Sequence, residues 1–227
     1  MAEAAGKSDV YLEIGQKRAF AAAVEWPGWC RAGRDEAAAL EALLQYGPRY
    51  ARVLRPADLG FEPPADVSAF SVVERLEGNA TTDFGAPGMI PASDGRPVGA
   101  KELARFKAIL EACWQAFDAA ARAAAGVELR KGPRGGGREL EAISEHVVGA
   151  DLGYLRALGW KLEKDGADGS ALERTRQAIL DGLAAAAAGE IAAEGPRGGA
   201  RWPARYFVRR VAWHVLDHAW ETEDRSQ

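Results

Sequence analysis

The sequence predicts an α+β protein, in which a small N-terminal module with a β-hairpin and a helix precedes a C-terminal up-and-down four-helix bundle. Two observations carry this prediction. Residues 9–25 place β-branched and aromatic side chains around a Gly-Gln-Lys-Arg turn, which is typical of two short strands. From Gly99 onward, amphipathic segments alternate with Gly-rich breaks. The length of 227 residues suits one large or two small domains.

The N-terminal module is expected over residues 8–78. Its first element is the hairpin, although the Ala-rich half AFAAAVE is also compatible with a helix. The stretch WPGWCRAG, residues 26–33, is interpreted as a turn or loop because of its Pro and Gly.

A helix and a further strand complete this module. The helix begins at Asp35 and Glu36, because acidic residues in a first turn complement the helix dipole. Pro48 is expected to end or kink it. Residues 69–78 are predicted to form another extended segment.

Residues 79–98 are rich in Gly, Pro, Thr and Asp and are predicted to be a linker or an ordered loop. The bundle is expected over residues 99–227. Its four helices are predicted at about 99–125, 138–159, 169–193 and 200–223.

The charge and cysteine content exclude several classes of protein. The 29 basic and 33 acidic residues nearly balance, so no nucleic acid partner held by bulk positive charge is expected. Cys30 and Cys113 form no CxxC pair, which argues against a disulfide framework or a thiolate zinc site. The sequence shows neither a signal peptide nor an apolar run of membrane-spanning length, so a cytoplasmic location without membrane association is expected.

A glycine-rich motif occurs twice, as GPRGGGR at residues 132–138 and GPRGGAR at 195–201. Each copy precedes a histidine-bearing helix. Taken singly, each motif is explained as a helix stop with solvated arginines. In an up-and-down bundle both copies would meet at one end, where helix N-termini favour anions.

Only three histidines occur in the chain. His214 and His218 are four residues apart, the spacing at which one helix face chelates a metal ion, although a hydrogen-bonded or solvated pair is the alternative. His146 lies on the second predicted helix of the bundle. Three neutral imidazoles and a water form an open catalytic site, and imidazole favours zinc or a later transition metal over magnesium or calcium.

Two acidic residues follow this pattern and are the candidate catalytic groups. Glu221, three residues after His218, is interpreted as a fourth ligand, a partner that orients an imidazole, or a surface acid. Asp217 has the same alternatives but lies off the histidine face. Small residues near His146 would leave room for a metal ion and a substrate: Ala142, Gly149, Ala150 and Gly153.

With one histidine on the second helix and an HxxxH pair on the fourth, residues 99–227 resemble the DinB-like (DinB/YfiT-like) metalloproteins, which are four-helix bundles. The tail HVLDHAWETEDR is similar to that of uncharacterised actinobacterial members. The resemblance implies a divalent metal ion on His146, His214 and His218, and zinc or nickel is expected because the ligands are imidazoles. Characterised members include transferases and isomerases that use thiols such as mycothiol or bacillithiol.

The resemblance also implies a mechanism and its small-molecule partners. A metal-bound thiol loses its proton and attacks an electrophile. Anionic or sugar-bearing thiols would suit nearby arginines, and those assigned to the thiol cosubstrate are Arg134, Arg138, Arg197 and Arg210. Two other functions stay open. One is a non-catalytic protein that binds a metal and a partner, and the other is a hydrolase with a metal-bound hydroxide whose base would be Asp151, Asp217 or Glu221.

The first 75 or so residues resemble the HicB-like antitoxin fold. In that fold a small sheet and a helix occur with a sequence pattern similar to the PG…G…EA of this chain. The resemblance implies a module that binds a partner protein or shapes a homodimer. The residues that carry it are Trp26, Pro27, Gly28, Gly33, Glu36 and Ala37.

Overall fold

The computed structural model describes residues 7–131, 137–162 and 170–227. These residues form a mixed α+β structure with one four-stranded sheet and six α-helices, which confirms the predicted class. The chain divides into two compact units, the first ending at Gly95 and the second beginning at Arg96.

The first unit contains the whole β-sheet. Its strands are β1 (Ser8–Ile14), β2 (Ala19–Ala23), β3 (Cys30–Gly33) and β4 (Phe70–Glu77), in the order β3-β2-β1-β4. β1 and β2 are antiparallel, so the predicted hairpin is confirmed and the helical alternative for AFAAAVE is wrong over β2. β4 confirms the extended segment and pairs in parallel with β1.

The strand β3 lies inside WPGWCRAG, where a turn or loop was predicted. Gly28, with a φ of 94°, makes the turn, and Cys30 then pairs with Ala22 of β2. The prediction was wrong for residues 30–33 because four residues are too few to show a strand periodicity, and the pairing with β2 decides the conformation.

Helix α1 (Glu36–Leu54) begins where the sequence predicts. The Asp35 carboxylate accepts a hydrogen bond from the Ala38 N–H at 2.8 Å and caps the first turn. Of the two alternatives expected at Pro48, an end of the helix is wrong, because α1 continues through this residue, and a kink stays a prediction. Beyond the proline, the buried Tyr50 donates a hydrogen bond to the Pro27 carbonyl at 2.7 Å, so tertiary packing outweighs the missing backbone hydrogen bond.

A buried acid fixes the segment that follows β4. Glu13 on β1 is fully buried, and its carboxylate accepts hydrogen bonds from the Thr82 hydroxyl and from the N–H groups of Gly88 and Met89. This segment contains the short helix α2 (Ala80–Phe84). The part of 79–98 that ends at Gly95 therefore belongs to the first unit as an ordered loop.

The second unit contains four long helices, close to the predicted positions. α5 ends earlier than predicted because Gly189, with a φ of 75°, follows its last turn, and α6 begins after Pro203. No helix in the described part of the chain is both long and apolar enough to cross a membrane. The helices are α3 (Ala100–Ala123), α4 (Leu140–Leu158), α5 (Ala171–Ala187) and α6 (Ala204–Arg225).

Helix α6 contacts α3, α4 and α5 and is buried on nearly all its faces. A helix enclosed on all sides is normally apolar throughout. This one instead carries polar side chains into the interior. The buried polar residues of α6 are Arg205, Arg209, Arg210, His214, His218, Thr222 and Arg225.

Candidate metal centre

The three histidines meet between α4 and α6. His146 comes from α4, whereas His214 and His218 are one turn apart on α6. Each offers a ring nitrogen, and these atoms all lie within 4.8 Å of one another. The ring centroids are 4.6 to 5.1 Å apart. The structure thus brings together the three residues that the sequence predicts as ligands.

The spacing of two of these nitrogens fits a shared metal ion. Nε2 of His146 and Nε2 of His214 lie 3.2 Å apart. Two nitrogens at ~2.05 Å from a tetrahedral zinc ion would be separated by ~3.3 Å. Among the described residues the cluster consists of three side chains, so a tetrahedral ion would keep one position for a substrate or a water.

Burial keeps the imidazoles in the form that binds metals. Desolvation is the main cause that lowers the pKa of His214 to about 2, and the positive charges of His218, His146, Arg210 and Arg138 contribute to this shift in that order. Desolvation also lowers the pKa of His146, with Arg138 as the next cause. Both rings are therefore neutral at pH 7, as a metal ligand must be.

Glu221 orients His218 from outside the ligand cluster. Nδ1 of His218 donates a hydrogen bond to Glu221 Oε2 at 2.8 Å, and Arg225 Nη1 donates to Glu221 Oε1 at 2.9 Å. These hydrogen bonds, that from His218 first, lower the pKa of Glu221 despite its burial. With Nδ1 engaged, Nε2 of His218 is left for a metal ion. Of the three sequence-based interpretations, the geometry matches the orienting partner.

Arg225 fixes this arrangement to the chain that precedes α4. Its Nε donates to the Arg130 carbonyl at 2.7 Å, and its Nη1 donates to the Arg138 carbonyl at 2.9 Å. The guanidinium therefore holds Glu221 and two backbone segments at once.

The other predicted site residues have diverse locations. Asp217 is half-buried on α6 and does not belong to the histidine cluster. Arg138 has an exposed side chain, and Arg197 is exposed between Gly195 and Gly199. Arg134 lies outside the described residues, so the meeting of the two glycine-rich motifs stays a prediction.

Tyr154, which is not among the residues predicted from the sequence, borders the triad together with Arg210, which is. The Tyr154 ring lies 5.7 Å from the His214 ring, and Arg210 Nη2 donates to the Tyr154 hydroxyl at 3.3 Å. The Arg210 guanidinium also lies over the rings of Trp202 and Trp213. Tyr154 follows His146 by eight residues, and this spacing returns to nearly the same side of a helix. The sequence therefore contained a signal for its position beside the triad.

The glycines beside His146 leave open space, as the sequence predicts. A Cβ atom added at Gly149 or Gly153 would meet no atom within 4 Å among the described residues, apart from the backbone of α4 and chain neighbours. These positions follow His146 by three and seven residues, so they lie on the same side of the helix.

Asp151, nominated as a base, belongs to the interior of the helices. It lies in line with Val147 and Leu155 on the buried stripe of α4, and its Oδ1 has no hydrogen-bond partner among the described residues. Burial raises its pKa to about 8, and the charge of Arg176 opposes this shift. Asp151 is thus protonated at neutral pH and is not part of the ligand cluster.

The opposed pKa shifts of His214 and Asp151 predict a specific pH dependence in metal-free protein. Below pH 6.5 the unfolded chain binds a proton at His214 that the folded chain does not, so this residue lowers stability as pH falls. Between pH 3.8 and about 8 the folded chain binds a proton at Asp151 that the unfolded chain does not, so this residue raises stability as pH falls. The two contributions oppose each other between pH 7 and pH 5.

Asp151→Asn separates these contributions. From pH 7 to pH 5 the free energy of unfolding of chelator-treated Asp151→Asn is expected to fall by about 2 kcal/mol more than that of the wild type. Urea titrations at pH 5, 6 and 7 measure the difference. Equal pH dependence of the two proteins would contradict the assignment of a buried, protonated Asp151.

Comparison of this chain with protein-family models, curated proteins and solved structures finds no match.

Proposed function

We propose that this chain is a divalent-metal-binding protein of the DinB-like type, and that it is a metal-dependent transferase which activates a low-molecular-weight thiol for attack on an electrophile. The observation that carries the proposal is the convergence of three imidazoles into one cluster that does not include Glu221. Three ligands with an open position are typical of catalytic rather than structural zinc sites.

The helices of the second unit support the proposal that they form a four-helix bundle. α6 contacts the three other helices, and α4 also contacts α5. One ligand from the second helix and two from the fourth is the arrangement that the DinB-like resemblance implies. The first unit, with three strands, a helix and a fourth strand, is proposed to be a HicB-like module that binds a partner protein.

The proposed chemistry assigns distinct tasks to the metal ion and the side chains. A bound divalent ion would lower the pKa of a coordinated thiol, so that it reacts as a thiolate at neutral pH. Glu221 keeps the proton of His218 on Nδ1, and Arg225 keeps Glu221 in place. The space beside Gly149 and Gly153 admits the electrophile.

The arrangement of the acids favours a transferase over a hydrolase. A hydrolase of this kind would pair a metal-bound hydroxide with a nearby general base. Glu221 is engaged by His218 and Arg225, Asp151 is buried and protonated, and Asp217 does not belong to the histidine cluster. The non-catalytic alternative predicts a closed set of four protein ligands, whereas the described cluster has three.

Two measurements test this proposal. Protein purified without chelator is expected to contain close to one equivalent of zinc or nickel by elemental analysis. The loaded protein should accelerate conjugation of mycothiol or N-acetylcysteine to monochlorobimane, with His146→Ala as the inactive control. Trace metal after incubation with either ion would overturn the metal site. Full loading without any acceleration across a panel of thiols and electrophiles would overturn the transferase.

Glu221→Gln is predicted to weaken metal binding without preventing folding. The amide no longer holds the proton of His218 as a carboxylate does, so zinc affinity should fall about 10- to 100-fold. Competition with a fluorescent zinc chelator measures this change. Glu145→Gln, an exposed charge on α4 next to His146, serves as the control and should retain wild-type affinity. Unchanged affinity in Glu221→Gln would contradict its orienting role.

A further inference from the structure

Tyr154 and Arg210 form a polar pair directly beside the histidine triad. We infer that this pair is a carboxylate-binding subsite, and that the substrate or cosubstrate of the triad carries a carboxylate which the pair holds. The inference rests on the proposed function, since it places the ligand at the same metal centre, and it specifies the chemical class of that ligand.

The hydrogen bonding of Tyr154 leaves a donor for such a ligand. A guanidinium has five N–H donors and no acceptor, so in its contact with Arg210 the phenol oxygen accepts. The phenol proton is then available to donate. A tyrosine hydroxyl is protonated at pH 7, and accepting a hydrogen bond from a cation strengthens it as a donor. The preferred partner of this donor is an anionic oxygen.

The charge of Arg210 lies in surroundings that strengthen its attraction for an anion. Only 8% of the residue is exposed, and its guanidinium lies 5.3, 5.9 and 5.1 Å from the ring centroids of Tyr154, Trp202 and Trp213. Water screens a charge weakly in such an enclosure. Arginine and a phenol together provide the geometry and charge that carboxylates favour.

The position of the pair relative to the triad fits one small molecule that reaches both. The Tyr154 ring contacts the His214 ring, and Arg210 is one helical turn before His214 on α6. A Cβ atom added at Gly153, the residue before Tyr154, would meet no described atom within 4 Å apart from the backbone of α4 and chain neighbours. A carboxylate at the pair would thus place the rest of the molecule within about one helical turn, roughly 5 Å, of the metal ligands.

The carboxylate could belong to the thiol or to the electrophile, and matched ligand pairs distinguish the two. The first pair is N-acetylcysteine and its amide, which share the thiol. The second is maleate and maleamide, which share the alkene. Titration calorimetry on zinc-loaded wild type is expected to show about tenfold tighter binding of the acid than of the amide in at least one pair. The pair that shows the preference identifies which reactant carries the carboxylate.

Tyr154→Phe and Arg210→Met are the decisive variants. Both should bind acid and amide with equal affinity while their zinc content stays at the wild-type level. Tyr46→Phe, which removes a phenol that also packs against an arginine, is the control and should keep the preference. Thermal unfolding verifies that each variant is folded, and Tyr154→Phe decides the question if Arg210→Met does not fold.

The outcomes separate this inference from the metal site. No preference for an acid in the wild type, or a preference that persists in Tyr154→Phe, overturns the carboxylate subsite even if zinc binds. If the wild type fails to bind zinc, the proposed function fails, and the same maleate and maleamide titrations on metal-free protein still test the subsite.

Discussion

Replacing His214 with alanine is expected to remove nearly all metal binding. His214 contributes one of the three ligands. Zinc sites have apparent binding free energies of ~10 kcal/mol or more, so each of three donors accounts for a large share. Losing one is expected to lower zinc affinity on the order of 100-fold or more. His146→Ala and His218→Ala should behave alike, because the chain contains no other histidine to substitute for them. Equilibrium dialysis followed by elemental analysis measures the loss.

Thermal unfolding distinguishes a metal ligand from a packed core histidine. A metal at 100 times its dissociation constant stabilises the folded chain by about 2.7 kcal/mol. Zinc should therefore raise the unfolding temperature of the wild type and of Glu145→Gln, but not that of His214→Ala. If His214→Ala still responds to zinc as the wild type does, the triad is not the metal centre.

Arg205→Ala is expected to cause a large loss of stability in the second unit. The Arg205 guanidinium forms a two-pronged ion pair with Glu102 on α3 and donates to the carbonyls of Arg96 and Pro97 at 3.0 and 3.1 Å. Its side chain is 8% exposed and that of Glu102 is 22% exposed. Removing the arginine leaves the largely buried charge of Glu102 without a partner. This is expected to lower the free energy of unfolding by about 3 kcal/mol.

Urea denaturation of the wild type and Arg205→Ala measures this cost. Arg34 provides a matched control, since it also forms an ion pair, with Asp35, but its side chain is 88% exposed. Arg34→Ala should leave stability unchanged, because exposed pairs contribute little. Equal effects of the two substitutions would show that burial of the Arg205 pair has no energetic consequence.

Local patterns predict most elements of the fold, and tertiary contacts explain the differences. The N-cap at Asp35 and the amphipathic helices α3 to α6 are each determined by residues close together in the sequence. They could therefore be predicted from the sequence alone. Strand β3 depends on pairing with β2, and the passage of α1 through Pro48 depends on the packing of Tyr50. Neither interaction is encoded in the adjacent residues.

Local sequence patterns also predict part of the candidate site, and the rest depends on tertiary contacts. Helical spacing places His214 and His218 together, and the choice of His146 as their partner followed from its being the remaining histidine. The role of Glu221 could be narrowed to three alternatives, but selecting one required its distances to His218 and Arg225. Tyr154 escaped prediction because its neighbours depend on how α4 is rotated against α6, which periodicity alone does not specify.

The enclosure of α6 has a consequence for selectivity among metal ions. A helix packed on nearly all its faces has little freedom to shift, so His214 and His218 are expected to keep their separation when an ion binds. A flexible site loses conformational entropy when its donor atoms become ordered around an ion. A preorganised site loses less, so it binds the ion more tightly. It also penalises ions whose radius does not match the fixed nitrogens, so the stiffness of this one helix is expected to discriminate against large cations such as cadmium.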